Sequence, residues 1–489
     1  MFLRILPISL FGLVFTGIAQ PQTAPTNVTF RTQLFNTGPE PAGVVSGDFN
    51  QDGKPDLAVI DGSSSSVQIL LGVGGGNFSL GSQTNTGMSP VQIVTGTFTL
   101  SGHQDLAVAN AGDKTVTILL GKGDGTFTIE SFPLSGVPLA LTAADFLNNG
   151  LTQLATVECS GQTQAPCSLN LYQSDTHAQF HRSQSIALPG AAPAMGLIAS
   201  DDFNHDGKPD LAVATDKQVL IFVDNGRFDG TGAATVRLDF VITPPNSLGI
   251  SGLAAGHFVR NNPTPDLAVE VFDNVNDTSS PNSNYIFLNN GFGRFFLRSK
   301  LAGSTGGFGH ILAVSDINGD GIQDLLVAGT SFHNGDLSYA LGHGDGTFGA
   351  LQEVGGFGPN NGIIARDLSL DSRHSVVLAV TGAFSTPGTA VFLNQNALPN
   401  CPPPSSATLA VKFCSLSTAT NLLSVSASGN SPNGVKRVEL WVDGIKRTQA
   451  FSDQLRASVG VSAGTHRVAL VGVDLYDALI KETTTVNVP

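Results

Sequence analysis

One ten-residue pattern recurs along this chain and constrains its fold more than any other feature. It reads Asp48-Phe49-Asn50-Gln51-Asp52-Gly53-Lys54-Pro55-Asp56-Leu57 in the first clear copy and Asp202-Phe203-Asn204-His205-Asp206-Gly207-Lys208-Pro209-Asp210-Leu211 in the second. The third is Asp316-Ile317-Asn318-Gly319-Asp320-Gly321-Ile322-Gln323-Asp324-Leu325. Weaker copies start at Thr97 (ending Gly102-His103-Gln104-Asp105-Leu106), Asp145 (ending Gly150-Leu151-Thr152-Gln153-Leu154), His257 (ending Asp266-Leu267) and Asp367. The seven starts lie 49, 48, 57, 55, 59 and 51 residues apart, and a fixed period of this size signals a repeat architecture.

Each unit repeats one grammar. An apolar strand, such as residues 42–49, leads into the acidic loop; Leu57-Ala58-Val59-Ile60 follows, then the alternating run Val67-Gln68-Ile69-Leu70-Leu71, then a Gly-rich turn ending in Phe78 and a fourth strand. The turn recurs as Gly123-Asp124-Gly125-Thr126-Phe127 and Gly344-Asp345-Gly346-Thr347-Phe348; its glycines supply the positive φ of a tight hairpin and its Phe re-enters the core. Four strands in about 50 residues match a propeller blade. With 57 Gly, 26 Pro and only 13% charged residues, many short strands and tight turns are expected, so the chain reads as all-β. The seventh unit stops after Ala390-Val391-Phe392-Leu393 without a fourth strand. Residues 27–35 (Asn27-Val28-Thr29-Phe30-Arg31-Thr32-Gln33-Leu34-Phe35) resemble one, so pairing them beside Phe392 predicts a closed ring with no open edge.

The units resemble FG-GAP or VCBS repeats, as in the integrin α-subunit head and many secreted bacterial proteins. The resemblance covers about residues 27–397 and implies a seven-bladed β-propeller whose acidic loops bind calcium. The loop chemistry points the same way: calcium takes 6 to 8 oxygens, and carboxylates alternating along a tightly curled loop can converge on one ion. Magnesium holds its waters too firmly to favour such a cage. The expected side-chain ligands are Asp48, Asn50, Asp52 and Asp56, then Asp202, Asn204, Asp206 and Asp210, then Asp316, Asn318, Asp320 and Asp324. The carbonyls of Lys54, Lys208 and Ile322 complete the three sets, with the Lys54 side chain directed outward. A solvated turn is the alternative for each loop. Thr97, Thr99 and Ser101 replace acids in the second unit, Leu147 and Gln153 in the third, Ser369 and Ser375 in the seventh; His257 and a one-residue insertion weaken the fifth. Three calcium sites are therefore expected.

Residues 1–19 read as an export signal, with Arg4 before an apolar stretch from Ile5 to Ile18 and small residues at Gly17 and Ala19. A membrane anchor is the alternative, but the stretch is shorter than the ~20 apolar residues a bilayer requires. A secreted or cell-surface location follows, with no membrane span after signal removal. The cysteines fall in two close pairs, Cys159 with Cys167 and Cys401 with Cys414, which predicts local disulfides in an oxidising compartment. A formal charge of −14 gives no support to a nucleic-acid surface.

Residues 398–406, with Pro399, Pro402, Pro403 and Pro404, read as a stiff linker. Beyond it, two alternating runs, 435–444 and 465–474, predict a small β-sandwich over 407–489 that resembles bacterial Ig-like domains. Trp441, the only Trp, is expected to plug the core between its sheets.

No His-Glu-x-x-His, Gly-x-Ser-x-Gly, phosphate loop or dinucleotide fingerprint is present, the ten histidines are scattered, and no catalytic residue is expected. The reading is a monomeric, calcium-binding, non-catalytic protein for extracellular binding or adhesion, with a glycan or protein ligand. Its candidate recognition loops are 159–167 and 273–284. The alternative is a secreted polysaccharide-active lyase or hydrolase built on the propeller. A cluster of carboxylates, His or Arg at the ring's central mouth would favour the enzyme, and a bland mouth would favour binding.

Overall fold

The computed structural model describes residues 27–488 apart from short segments, chiefly 162–165, 190–196, 225–235, 273–281, 303–309, 330–335, 370–373, 382–387, 396–409, 432–434, 451–453 and 475–478. The signal segment, the linker, residues 162–165 of one candidate recognition loop and most of the other, and Cys401 lie outside the described residues.

All regular structure among the described residues is β-strand. Between Phe30 and Asn394 there are seven four-stranded antiparallel sheets, six of them built from four consecutive strands. In the first, Pro41–Gly47 pairs with Asp56–Asp61, then Ser66–Gly74, then Asn77–Asn85. The seventh is composite: Phe30–Phe35 lies antiparallel to Gly388–Asn394, with Phe30 opposite Asn394 and Thr32 opposite Phe392. The first strands of successive sheets pack side by side in chain order, and the first strand of the seventh sheet packs on that of the first. The sheets thus form a closed ring.

Burial follows from this arrangement. A middle strand such as Asp56–Asp61 or Asp105–Asn110 is buried at every position, because sheets cover both of its faces. The buried side chains divide into seven clusters, one in each gap between adjacent sheets; Phe49, Ile69, Leu106 and Phe127 share one, and Val44, Leu57, Val377 and Val391 another. The second residue of every acidic loop anchors these cores: Phe49, Phe98, Phe146, Phe203, Phe258, Ile317 and Leu368 are all buried. The Phe that ends the Gly-rich turn of the next sheet meets it edge-on, at 5.9 Å for Phe49–Phe127 and 5.2 Å for Phe258–Phe348. The glycines before that Phe seal the loop from outside, Gly125 N–H donating to Phe49 O at 2.9 Å and Gly346 N–H to Phe258 O at 3.1 Å.

Closure makes the N-terminal strand a structural keystone. Val28 and Phe30 pack with Tyr339 and Phe392, and Val28 N–H donates to the Tyr339 hydroxyl at 2.8 Å. Deleting residues 27–36 should cost about 3 kcal/mol from buried Val28 and half-buried Phe30 alone and expose Gly388–Asn394 as an edge that pairs between molecules. A truncated chain that stays monomeric in sedimentation and keeps its denaturant midpoint would refute this.

Cys159 and Cys167 form a disulfide across neighbouring strands, their Cα atoms 4.1 Å apart. The loop is short, so replacing both by Ser should lower stability by only about 2.5 kcal/mol in chemical denaturation. A loss above about 5 kcal/mol would show that the bridge supports more than this hairpin.

The C-terminal part is two facing sheets, one of three strands (Ala410–Ala419, Leu422–Asn430, Gln454–Gly460) and one of four (Ile445–Ala450, Val435–Val442, Gly464–Asp474, Leu479–Val488). Their shared core includes Leu423, Val425, Val438, Leu440, Val442, Leu455, Val468 and Leu470. Trp441 is not in it, which corrects the expectation of a core plug. The strand alternates, so Val438, Leu440 and Val442 point inward while Glu439 and Trp441 share the opposite face. There the indole N–H donates to Glu439 at 2.8 Å, beside Arg437 and Lys446.

Candidate functional site

Two groups of residues gather at one end of the ring, where the first strands finish and the acidic loops begin. The first group is the three complete loops. In each, the leading carboxylate folds the chain back on itself: Asp48 accepts Asp52 N–H at 3.1 Å and Gly53 N–H at 2.9 Å, Asp202 accepts Asp206 and Gly207, and Asp316 accepts Gly319, Asp320 and Gly321. The Asn oxygen two residues on takes the same Asp N–H, at 3.1 Å from Asn50 and 3.0 Å from both Asn204 and Asn318. The acid at position five accepts from residue seven, as Asp320 does from Ile322 N–H at 2.8 Å. The curl needs left-handed backbone at two places, Gln51, His205 and Gly319 at the fourth position and Gly53, Gly207 and Gly321 at the sixth. His205 is exposed. The Lys54 ammonium lies at the surface, where it pairs with Asp52 at 2.6 Å.

The acid at position nine behaves differently. Asp56, at 0% exposure, accepts Phe49 N–H at 2.9 Å with one oxygen and Gly72 N–H at 2.7 Å with the other. Asp324 does the same for Ile317 and Gly342, and Asp210 accepts Asn204 N–H. The same carboxylate, with the same bonds, persists where the other ligands are lost: Asp105 holds Phe98 and Gly121, and Asp266 holds Phe258 and Asn289. In the third unit Gln153 substitutes, accepting Leu147 N–H at 3.0 Å, and in the seventh Ser375 accepts Asn394 N–H at 3.3 Å. The fixed offset of this acid therefore has a structural reason, the pinning of loop to sheet, that requires no ion. Each carboxylate still has lone pairs to offer.

Electrostatics set these loops apart from plain turns. Burial raises the carboxyls of Asp48 and of Asp56, the latter to about 6. Burial, then repulsion from Asp320, raises Asp316 to about 7; burial, then Asp316, pushes Asp324 up strongly. Crowded, desolvated acids of one sign are what a cation would relieve. The donor types fit a hard cation, but as placed, no group of three or more His, Cys, Asp or Glu side chains among the described residues is close enough to form a ready cage.

The second group, which the repeat pattern did not reveal, surrounds the central mouth. A cavity of about 480 Å³ is lined by ring residues including Ser46, Thr95, Asp201, His257, Ser315, Gln323, Arg366, Asp367 and His374, and on its far side by Gly429, Asn430, Ser431, Val435 and Lys436 of the C-terminal sandwich. Neighbouring sheets are clasped here. Asp48 N–H donates to Gln104 at 2.7 Å, Thr97 N–H to Thr152 at 2.9 Å, His257 N–H to Gln323 at 2.6 Å, and Arg366 bonds Ser46 through both its carbonyl (3.0 Å) and its hydroxyl (2.6 Å). Ser315 Oγ and His374 Nδ1 are also hydrogen-bonded. Burial, then the nearby Lys436, keeps His257 neutral far below its usual range. The available signal was positional: the residue just before each loop is Gly or Ala in four units but Asp201, Ser315 and Arg366 in the fourth, sixth and seventh.

The model for the FG-GAP-like repeat matches residues 259–327. Among solved structures, the chain is similar to BBS1N in a complex with ARL6DN, at 11% identity and a TM-score of 0.50 over 75% of this chain and 97% of that one. The WD40 domain of Toxoplasma gondii coronin aligns over 76% of this chain and 88% of its own, at 11% identity and a TM-score of 0.47. A functionally unknown protein from Desulfotomaculum acetoxidans aligns over 69% and 99%, at 10% identity and a TM-score of 0.47. No curated protein matches the sequence. The fold is a repeat β-propeller.

Proposed function

We propose that this chain is a secreted, calcium-binding, non-catalytic scaffold for extracellular binding or adhesion, with a glycan or protein ligand. Its seven sheets are read as the blades of one propeller, followed by an Ig-like sandwich. The observation that carries the reading is the set of three complete acidic loops on one end of a closed ring. Their Asp and Asn oxygens, together with the carbonyls of Lys54, Lys208 and Ile322, supply the hard donors calcium takes. An ion there would neutralise crowded carboxylates and stiffen one face of the ring without entering any reaction. Loops on a rigid scaffold then do the recognising.

The mouth supports the second reading, a polysaccharide-active enzyme, because it gathers Asp201, Asp367, Arg366, His257 and His374 rather than being bland. A screen of glycans and polysaccharides for binding and for cleavage, with and without calcium, separates the two. Binding without cleavage is expected. Release of shortened chains would overturn the non-catalytic reading.

A further inference from the structure

None of the expected calcium ligands lines the mouth cavity, and three of its lining residues depart from the repeat. The position before the loop is kept small for a steric reason: a Cβ on Gly47 would stand 2.7 Å from the Phe49 ring, and one on Gly96 would stand 2.6 Å from the Phe98 ring. Three units nevertheless carry Asp201, Ser315 and Arg366 at that position, and all three line the cavity. The C-terminal sandwich faces them with Asn430, Ser431 and Lys436, the first two buried.

We propose that this cavity binds a small, neutral, hydroxyl-rich molecule, a saccharide of one or two rings, held jointly by the ring and the C-terminal sandwich. The proposal deepens the glycan arm of the function above and rests on it. The charges decide the class. Asp201 and Asp367 balance Arg366 and Lys436, so an anionic or cationic ligand would meet like charge, whereas a hydroxyl donates to an acid and accepts from a base. Val45, Ala255, Val314, Ile363 and Ile364 supply apolar wall for the C–H faces of a sugar ring. At about 480 Å³ the cavity is in the lower part of the ~300–1,000 Å³ range of small-molecule sites, which suits a chain end or free sugar rather than a polymer threaded through. Residues from both domains line it, so occupancy couples them.

The test titrates the full chain, by calorimetry and saturation-transfer NMR, with neutral mono- and disaccharides, and in separate arms with uronates and intact polysaccharides. At least one neutral saccharide should bind with a Kd of about 1 mM or tighter. Lys436→Ala and Asp201→Asn should each weaken it at least about fivefold; both leave the Arg366–Ser46 clasp intact. In the unaltered protein the bound sugar should protect Lys436 from amine acylation, a readout that survives if a variant fails to fold. Preference for uronates, or neutral-sugar binding indifferent to both substitutions and without protection of Lys436, would overturn the proposal. Polysaccharide binding that survives both substitutions would leave the extracellular-binding reading standing and refute this cavity as its site. No carbohydrate binding at all would remove the glycan arm together with the cavity.

Discussion

Stripping calcium from the intact chain with a chelator should lower its melting temperature by roughly 10 °C, and calcium, but not magnesium, should restore it. Each site that binds only the folded state adds about 2.7 kcal/mol when calcium is at 100 times its Kd, so three sites contribute about 8 kcal/mol. For a cooperative unit near 370 residues, an unfolding entropy of about 2.1 cal/mol/K per residue converts that loss into the stated shift. The sign is fixed by the loops: burial raises the carboxyls of Asp316, Asp320 and Asp324, and repulsion from Asp320 adds to Asp316 and from Asp316 and Asp320 to Asp324, a cost that a bound cation would turn into attraction. Scanning calorimetry is the measurement, with metal analysis beside it. Three equivalents are expected, falling to two in Asp320→Asn. An unchanged melting temperature, or a content clearly different from three, would sink the calcium reading while leaving the ring untouched.

The second large effect belongs to Asp266, whose loop has lost the other ligands. Asp266→Ala should destabilise the ring by about 3 kcal/mol at pH 5, because two buried amides, Phe258 N–H and Asn289 N–H, lose their acceptor. Burial raises this carboxyl to about 7 from 3.8. A folded-state pKa above the unfolded one favours folding at low pH, and that contribution fades as pH rises through about 7. The unaltered protein should accordingly lose about 2–3 kcal/mol from this group between pH 5 and pH 8, and the variant should not. Denaturant midpoints at the two pH values, measured with and without a chelator, give the answer. A penalty that depends on calcium would make Asp266 a ligand after all, and a penalty that grows toward pH 8 would reverse the sign argued here.

These two predictions separate roles that one motif had joined. The acid at position nine was legible as part of a ligand set, and its regular offset argued for a metal. Its retention at Asp105 and Asp266, where the ligand set is broken, is explained by backbone amides that only the folded chain brings to it.

What the sequence determined by itself is whatever repeats. The loop spacing, the apolar strand that follows each loop, and the Gly-rich turns that return a Phe to the core are local rules, restated from unit to unit; an all-β repeat propeller follows from them. Tertiary structure decided what does not repeat. Trp441 looked like a core residue by type, but the register of its strand, set by Val438, Leu440 and Val442, turns it to the outer face. The mouth is assembled from single residues in separate units and from a second domain, so Asp201, Arg366 and Lys436 carry no shared pattern along the chain. Periodicity records what each unit needs to fold. The places where units depart from one another acquire meaning only when closure of the ring brings them face to face.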